Sequence, residues 1–162
     1  MLRSKLLIAI CLPLLSWGQL TDQLISQRLA AIESTVPLSF NSYVRAHVND
    51  FVRNDKSYTS KALSKFKQEE SNIKEIIASY NLPEELSILA LSLSGCSNFE
   101  QSEEGGTGIF LMRYPVAKSR GLHISSYVDE RRDIEKSTHA FSKEMKELYV
   151  WLIQFLRAEI KN

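Results

Sequence analysis

Cysteine and histidine are scarce in this sequence of 162 residues, and each shortage excludes a kind of site. One of the two cysteines, Cys11, lies in an apolar N-terminal run that we expect to be removed, which leaves Cys96 alone. A single cysteine cannot form an intramolecular disulfide, and we interpret it as a small core residue. The three histidines fall in distant segments without the spacing of metal ligands. We therefore expect no metal site and no cofactor.

Net charge is also small. Removing Arg3 and Lys5 with the N-terminal run takes the basic residues from 20 to 18, against 19 acidic residues. This balance gives no electrostatic basis for binding nucleic acid or an anionic membrane.

The glycine cluster at 105–108 has neither the preceding strand nor the following Lys-Ser/Thr of a phosphate-binding loop, so we interpret it as a tight turn.

Residues 1–18 have the pattern of a secretory signal peptide. Arg3 and Lys5 supply its positive end, residues 6–15 its apolar core, and Ser16-Trp17-Gly18 the residues before the cleavage point. The apolar run is too short to span a membrane as a helix. We therefore expect export across the inner membrane to the periplasm or cell envelope, and a mature chain that begins at Gln19.

Apolar residues recur at helical spacing along the rest of the chain, which predicts an all-α protein. We assign residues 19–56 to an N-terminal helical segment and residues 57–162 to one larger helical domain. The third predicted helix is capped by Ser57 or Thr59 and has the inner face Leu63, Phe66, Ile73, Ile76, Ile77 and Tyr80. The predicted helices cover about 20–34, 41–52, 57–80, 83–94, 109–119 and 134–159.

The segment 83–95 is predicted to be the centre of the larger domain. Pro83 suits the first position of a helix, and the two glutamates that follow it suit the positive end of the helix dipole. Residues 86–93 are apolar apart from small serines, and a helix that is apolar on all sides is usually buried. Gly95 can adopt the left-handed conformation that ends a helix. We therefore expect a buried central helix.

Three motifs in this half of the chain carry a family resemblance. They are Leu82-Pro83-Glu84-Glu85-Leu86 before the apolar helix, Gly108-Ile109-Phe110-Leu111-Met112 after a polar loop, and Gly121-Leu122 followed by the charged run at 129–133. Their order and spacing resemble the lytic transglycosylases of the goose-lysozyme-like superfamily, most closely the membrane-bound murein transglycosylase D type. The resemblance implies a lysozyme-like helical domain of the SLT type and a role on peptidoglycan.

The residue that performs catalysis in the family is missing here. The family's glutamate stands just before a serine at the end of the central helix, and in this chain Leu93 stands there, before Ser94. Leu111 occupies the position of a family glutamine, and an Ala-Tyr-Asn segment of the family has no counterpart before Asn162. Glycosidic cleavage needs a proton from a carboxylic acid, and leucine has none to give. The resemblance therefore implies loss of the enzyme activity.

Three acidic residues in the polar loop are fallback candidates for the catalytic acid: Glu100, Glu103 and Glu104. We expect them to be solvated loop charges, because charged residues are mostly exposed. Glu85 is about 12 Å from Leu93 along a helix, too far to replace it. The resemblance assigns substrate contacts to Ser94, Gly108, Ile109, Phe110, Leu111 and Tyr114, although aromatic residues at helical spacing are more often core.

The last predicted helix has an apolar stripe that is broad for the final helix of a domain: Phe141, Met145, Leu148, Leu152, Phe155 and Leu156, widened by Tyr149, Trp151 and Ile160. An exposed apolar patch of this kind usually marks an interaction site. We therefore predict a homodimer, or a protein partner, that uses this helix.

Three functions remain open from the sequence. The sequence favours a secreted, catalytically inactive relative of the lytic transglycosylases that binds peptidoglycan glycan strands or a cell-envelope protein. The second is an active peptidoglycan-cleaving enzyme whose acid has moved to a loop glutamate. The third is a structural or interaction module that does not bind glycan.

Overall fold

The structure is a computed structural model that describes residues 21–32, 39–51 and 55–159, with side chains described as far as residue 155. Helices make up 67% of this part of the chain, and it contains no strand. The all-α prediction is therefore confirmed. No helix within the described ranges is both long and apolar enough to cross a membrane. The predicted signal peptide at 1–18 lies outside the described residues.

The chain divides into two compact units, Met1–His47 and Val48–Asn162. The sequence placed a boundary later, between residues 56 and 57. Helix α1, Asp22–Ala30, starts at Thr21, whose hydroxyl accepts a hydrogen bond from the Leu24 N–H. Helix α2, Ser42–Asn49, starts after Asn41, whose side chain accepts hydrogen bonds from two backbone N–H groups. Helix α1 is shorter than predicted, whereas α2 continues as a π-helical turn at residues 50–51, close to its predicted end at 52.

Helix α3, Lys56–Ser79, is 24 residues long. Its N-cap is Asp55, whose carboxylate accepts a hydrogen bond from the Tyr58 N–H at 3.0 Å. The prediction of Ser57 or Thr59 as the N-cap is therefore wrong. The Thr59 hydroxyl instead donates to the Phe51 carbonyl at 2.7 Å. The predicted inner face is largely confirmed: Phe66, Ile73, Ile76 and Ile77 are buried, Tyr80 is partly buried, and Leu63 is exposed.

The predicted central helix is a 3-10 turn, Glu84–Ser87, followed by helix α4, Ile88–Ser94. Gly95 ends it with a left-handed φ of +60°, as predicted. The prediction of burial on all sides is wrong, because Ile88 and Leu93 are about half exposed. The buried face carries the small side chains Ser87, Ala90 and Ser94, which allow neighbouring backbone to approach closely.

The prediction of a helix at 109–119 is wrong for the first half of that range. Residues 109–112 form a turn, and helix α5 is Tyr114–Ser119. The backbone explains the difference: Gly108 and Leu111 have φ of +83° and +46°, which an α-helix does not allow, and Pro115 favours a helix that starts close to it.

Helix α6, Ile134–Glu159, has the predicted bounds. It follows a second 3-10 turn, Glu130–Arg132. The first half of α6 packs in the core, where the rings of Phe141 and Phe110 stack with centroids 4.0 Å apart. The buried surface of this half is rich in small polar residues that bond back to the helix, including Thr138 and Ser142.

Candidate functional site

A cavity of about 380 Å³ opens where the C-terminal end of α4 meets the loop that follows it. We call it the Leu93 groove. Its lining residues are Leu93, Ser102, Glu104, Phe110, Leu111 and Arg113. Four of these six, Leu93, Glu104, Phe110 and Leu111, were named from the sequence for their site positions, and the structure brings them together around one cavity.

Leu93 presents an apolar surface to this groove, with 45% of the residue exposed. Successive residues of a helix point about 100° apart, so the burial of Ser94 turns its neighbour outwards. Leu93 has no proton to donate or accept. The expected position of the acid is therefore an accessible apolar side chain in an open cavity.

Ser94 connects α4 to the turn that bears Leu111. Its buried hydroxyl lies 2.9 Å from the Ile109 carbonyl and 3.0 Å from the Ala90 carbonyl, and it donates its one proton between them. It also accepts a hydrogen bond from the Ser97 N–H. This side chain therefore holds the turn at 108–112 against the helix and does not face the groove.

Gly108 is a second point at which the loop after α4 is held in place. The Gly108 N–H donates to the Glu100 carbonyl at 3.0 Å. A Cβ at this position would lie 1.9 Å from the Arg131 carbonyl oxygen, so only glycine allows this approach. The Gly108 position thus fixes the loop against the 3-10 turn Glu130–Arg132.

The Arg131 side chain completes this attachment. Its guanidinium donates to the carbonyls of Gly105 and Met112 at 3.1 and 3.2 Å. Asp129 holds it through two hydrogen bonds of 2.7 and 2.9 Å. The bond from Arg131 also holds the pKa of the Asp129 carboxyl below its ordinary value. One arginine therefore holds both the loop before the turn that bears Leu111 and the residue at which that turn ends.

Thr107 and Met112 pair through two backbone hydrogen bonds of 3.2 and 3.1 Å, which close this turn. A Cβ on Gly106 would lie 2.3 Å from the Leu111 carbonyl, so the turn also depends on glycine at its base. The tight-turn interpretation of the glycine cluster agrees with this geometry. The positive φ of Leu111 places its side chain in the lining of the groove.

The residues that the resemblance assigns to substrate contacts differ in their burial and in whether they line the groove. Ser94, Gly108 and Ile109 are buried and line no part of the groove. Phe110 is 95% buried and its ring stacks on Phe141, although it also lines the cavity. Leu111 lines it, and Tyr114 is exposed outside the lining.

The three loop glutamates are exposed, as expected. Glu104 lines the groove, whereas Glu100 and Glu103 do not. General acids in glycosidases are buried in apolar surroundings, whereas these three carboxylates are all exposed. Sequence reasoning missed Ser102 and Arg113, whose positions depend on how the loop folds back.

Cys96 is buried beside the end of α4 with a φ of +57°. Burial raises the pKa of its thiol, so the reactive thiolate is disfavoured. The core-residue interpretation of Cys96 agrees with this burial. His139 is partly buried and shares a hydrogen bond of 3.1 Å with the Tyr80 hydroxyl.

Within the described ranges, no group of three His, Cys, Asp or Glu side chains is arranged to hold a metal ion. Comparison of the chain with protein-family models and with curated proteins finds no match. Its function therefore has to be inferred from the chemistry of the Leu93 groove.

Proposed function

We propose that this protein is an exported, catalytically inactive relative of the lytic transglycosylases, and that it binds peptidoglycan glycan strands in the Leu93 groove. Residues 57–162 would form the lysozyme-like domain, and the cell envelope would be its location. The single observation that carries the proposal is that Leu93, the position of the family's glutamate, lines an open groove with apolar and polar neighbours.

The lining suits a sugar chain because it combines two kinds of surface. Leu93 and Leu111 offer apolar contact to the C–H faces of sugar rings. Ser102, Glu104 and Arg113 offer hydrogen-bond donors and acceptors to hydroxyl and amide groups. Ligand sites commonly combine apolar contact with a few polar groups that orient the ligand.

The same lining disfavours cleavage. General acid catalysis needs a carboxylic acid within hydrogen-bond reach of the leaving oxygen. The family uses one carboxylate, as acid and then as base, so replacement by Leu93 leaves no second group to take over. Binding without cleavage is the function that this set of residues supports best.

A retained enzyme activity is the second candidate, and the place of Glu104 in the groove is the observation that favours it. If Glu104 supplies the proton, purified protein releases soluble fragments from peptidoglycan, and Glu104→Gln abolishes the release. The binding proposal predicts no release from either protein.

The test of binding is co-sedimentation of the purified protein with peptidoglycan sacculi. Leu93→Arg places a bulky charge in the groove, and we expect retention to weaken at least about tenfold, equivalent to 1.4 kcal/mol. Ile88→Arg is the matched control, because Ile88 is an exposed apolar residue of the same helix that does not line the groove. We expect its retention to be unchanged.

Two results would contradict the proposal. Equal retention of wild type and Leu93→Arg would place glycan binding elsewhere on the protein. No retention of well-folded wild type would favour a cell-envelope protein as partner, or a module that does not bind glycan.

A further inference from the structure

The second half of α6 exposes an unusual amount of apolar surface. Six large side chains between residues 148 and 155 are each about half exposed or more: Leu148, Tyr149, Val150, Trp151, Leu152 and Phe155. We call these six residues the α6 patch. Isolated exposed apolar residues are normal, but a continuous group of this size usually marks an interaction site.

The patch continues the core stripe of the same helix. Phe141, Met145, Leu148, Leu152 and Phe155 recur at alternating steps of four and three, the spacing of a seam between paired helices. Phe141 and Met145 pack against the protein's own core. From Leu148 onwards the same stripe is exposed. The helix therefore carries a packing face that extends beyond the core that uses its first half.

The aromatic pair in the patch is already ordered. The rings of Trp151 and Phe155 stack with centroids 5.7 Å apart and planes 14° apart. Beside them lies a second cavity of about 380 Å³, lined by Trp151, Leu148 and the ion-paired side chains of Arg120, Glu144 and Glu147. A flat aromatic surface next to a shallow cavity suits an interface in which each copy inserts side chains into the other.

The area matches what a dimer needs. Leu148, Trp151, Leu152 and Phe155 share one face of α6, whereas Val150 lies on the opposite side, because successive helix residues point about 100° apart. At roughly 200 Å² or less for a whole side chain, these four half-exposed ones present about 400 Å² of apolar surface on each copy. Two copies would bury about 800 Å² of apolar surface, and because about 65% of a homodimer interface is apolar, the whole interface would approach about 1,200 Å², the lower bound for a specific, stable protein interface. One patch therefore supplies enough surface when it meets its equivalent.

We propose that the α6 patch is covered by a second copy of this chain, with the two α6 helices packed about a two-fold axis near Leu152. A patch that pairs with itself is the usual form of a symmetric dimer interface. A membrane surface suits it less well, because helices that bind membranes have a polar face rich in Lys and Arg. Here Lys143 and Lys146 are matched by Glu144 and Glu147.

Sedimentation velocity over a range of about 1–100 µM tests this dimer, independently of whether the Leu93 groove binds glycan. We expect the wild-type mass to approach twice the monomer value as concentration rises, and Trp151→Ser/Phe155→Ser to remain monomeric. Tyr127→Ser is the matched control, because Tyr127 is 97% exposed and lies outside α6. It should dimerise as wild type does.

Tryptophan emission reports the same contact directly. The chain has two tryptophans, Trp17 and Trp151, so in full-length Trp17→Phe all the emission comes from the patch. We expect a shift to shorter wavelength on raising the concentration, as Trp151 leaves water. A wild-type monomer at 100 µM, or a dimer that persists in the double variant, would overturn the proposal. A monomer whose emission shifts only on neutral or anionic lipid vesicles would also overturn it, and would identify a membrane as the occupant.

Discussion

Two glycines with nearly the same φ allow the attachment of the groove loop to be tested by substitution. Gly105 and Gly108 have φ of +78° and +83°. A Cβ on Gly105 meets nothing within 4 Å, whereas one on Gly108 would lie 1.9 Å from the Arg131 carbonyl oxygen and 2.8 Å from its carbon. Alanine at either position has the same left-handed strain, but only Gly108→Ala meets the backbone of the 3-10 turn.

The two alanine variants should therefore lose different amounts of stability. Left-handed strain costs about 1–2 kcal/mol at both positions. The contact at Gly108 must lengthen to the ordinary 3.4–4 Å, and because the neighbour is backbone it cannot rotate away. Forced overpacking costs about 1–3 kcal/mol, and we expect the upper end here. Gly108→Ala should therefore be less stable than Gly105→Ala by about 3 kcal/mol, or roughly 6–12 °C in melting temperature.

Urea unfolding followed by far-ultraviolet circular dichroism measures this difference, with the slope of free energy against urea used to check that both variants unfold in two states. Equal destabilisation of the two variants would refute the reasoning. It would mean that backbone strain alone matters and that the loop does not press on the Arg131 carbonyl.

Three further predictions concern the same attachment. Ser94→Ala should lower the free energy of unfolding by about 1–3 kcal/mol in urea titrations, because the Ile109 carbonyl loses a buried donor. The control is Ser92→Ala at an exposed position of the same helix, which should change the free energy of unfolding by less than about 0.5 kcal/mol. Arg131→Lys should also destabilise the fold and weaken retention on sacculi, because lysine cannot keep the paired bonds to Asp129 while reaching two carbonyls. A lowered folded pKa means that the Asp129 carboxylate stabilises the fold above its unfolded pKa of about 4, and that this stability is lost as pH falls through the lower folded value. Melting temperatures below pH 4 should therefore fall more steeply for wild type than for Asp129→Asn, and parallel curves would contradict the assignment.

Helix positions were predictable where a periodic stripe is long. The bounds of α6 and the buried face of α3 followed from apolar residues recurring over many turns. Gly95 was predictable as a helix end because few other residues adopt its conformation. These features depend on local sequence alone.

The central helix was not predictable in the same way. Its leucines indicated burial on every side, but the structure buries the small residues and exposes Leu93. Which face of an apolar helix is covered depends on the chain that packs on it, and small residues allow the closest packing. The turn at 109–112 was missed for a similar reason, since its positive φ at Leu111 is imposed by pairing of Thr107 with Met112.

The site was predictable only in part. Leu93 and Leu111 were identified by the resemblance and Glu104 as a carboxylate of the polar loop, and these three line one groove. It did not identify Ser102 or Arg113, because their places in the lining depend on bonds that form only in the folded loop, such as those from the Gly106 N–H to Ser102 and from Arg131 to the Met112 carbonyl. It also assigned ligand contacts to Ser94 and Ile109, which are buried in the wall that supports the groove.

The most direct test of binding without cleavage is mass spectrometry of the soluble products after purified protein and sacculi are incubated together under conditions in which the protein co-sediments. We predict protein in the pellet and no anhydro-sugar fragments above a protein-free blank. Anhydro-sugar fragments above that blank would contradict the account, because they would show that a carboxylate of this chain performs the chemistry although Leu93 stands at the expected position of the acid.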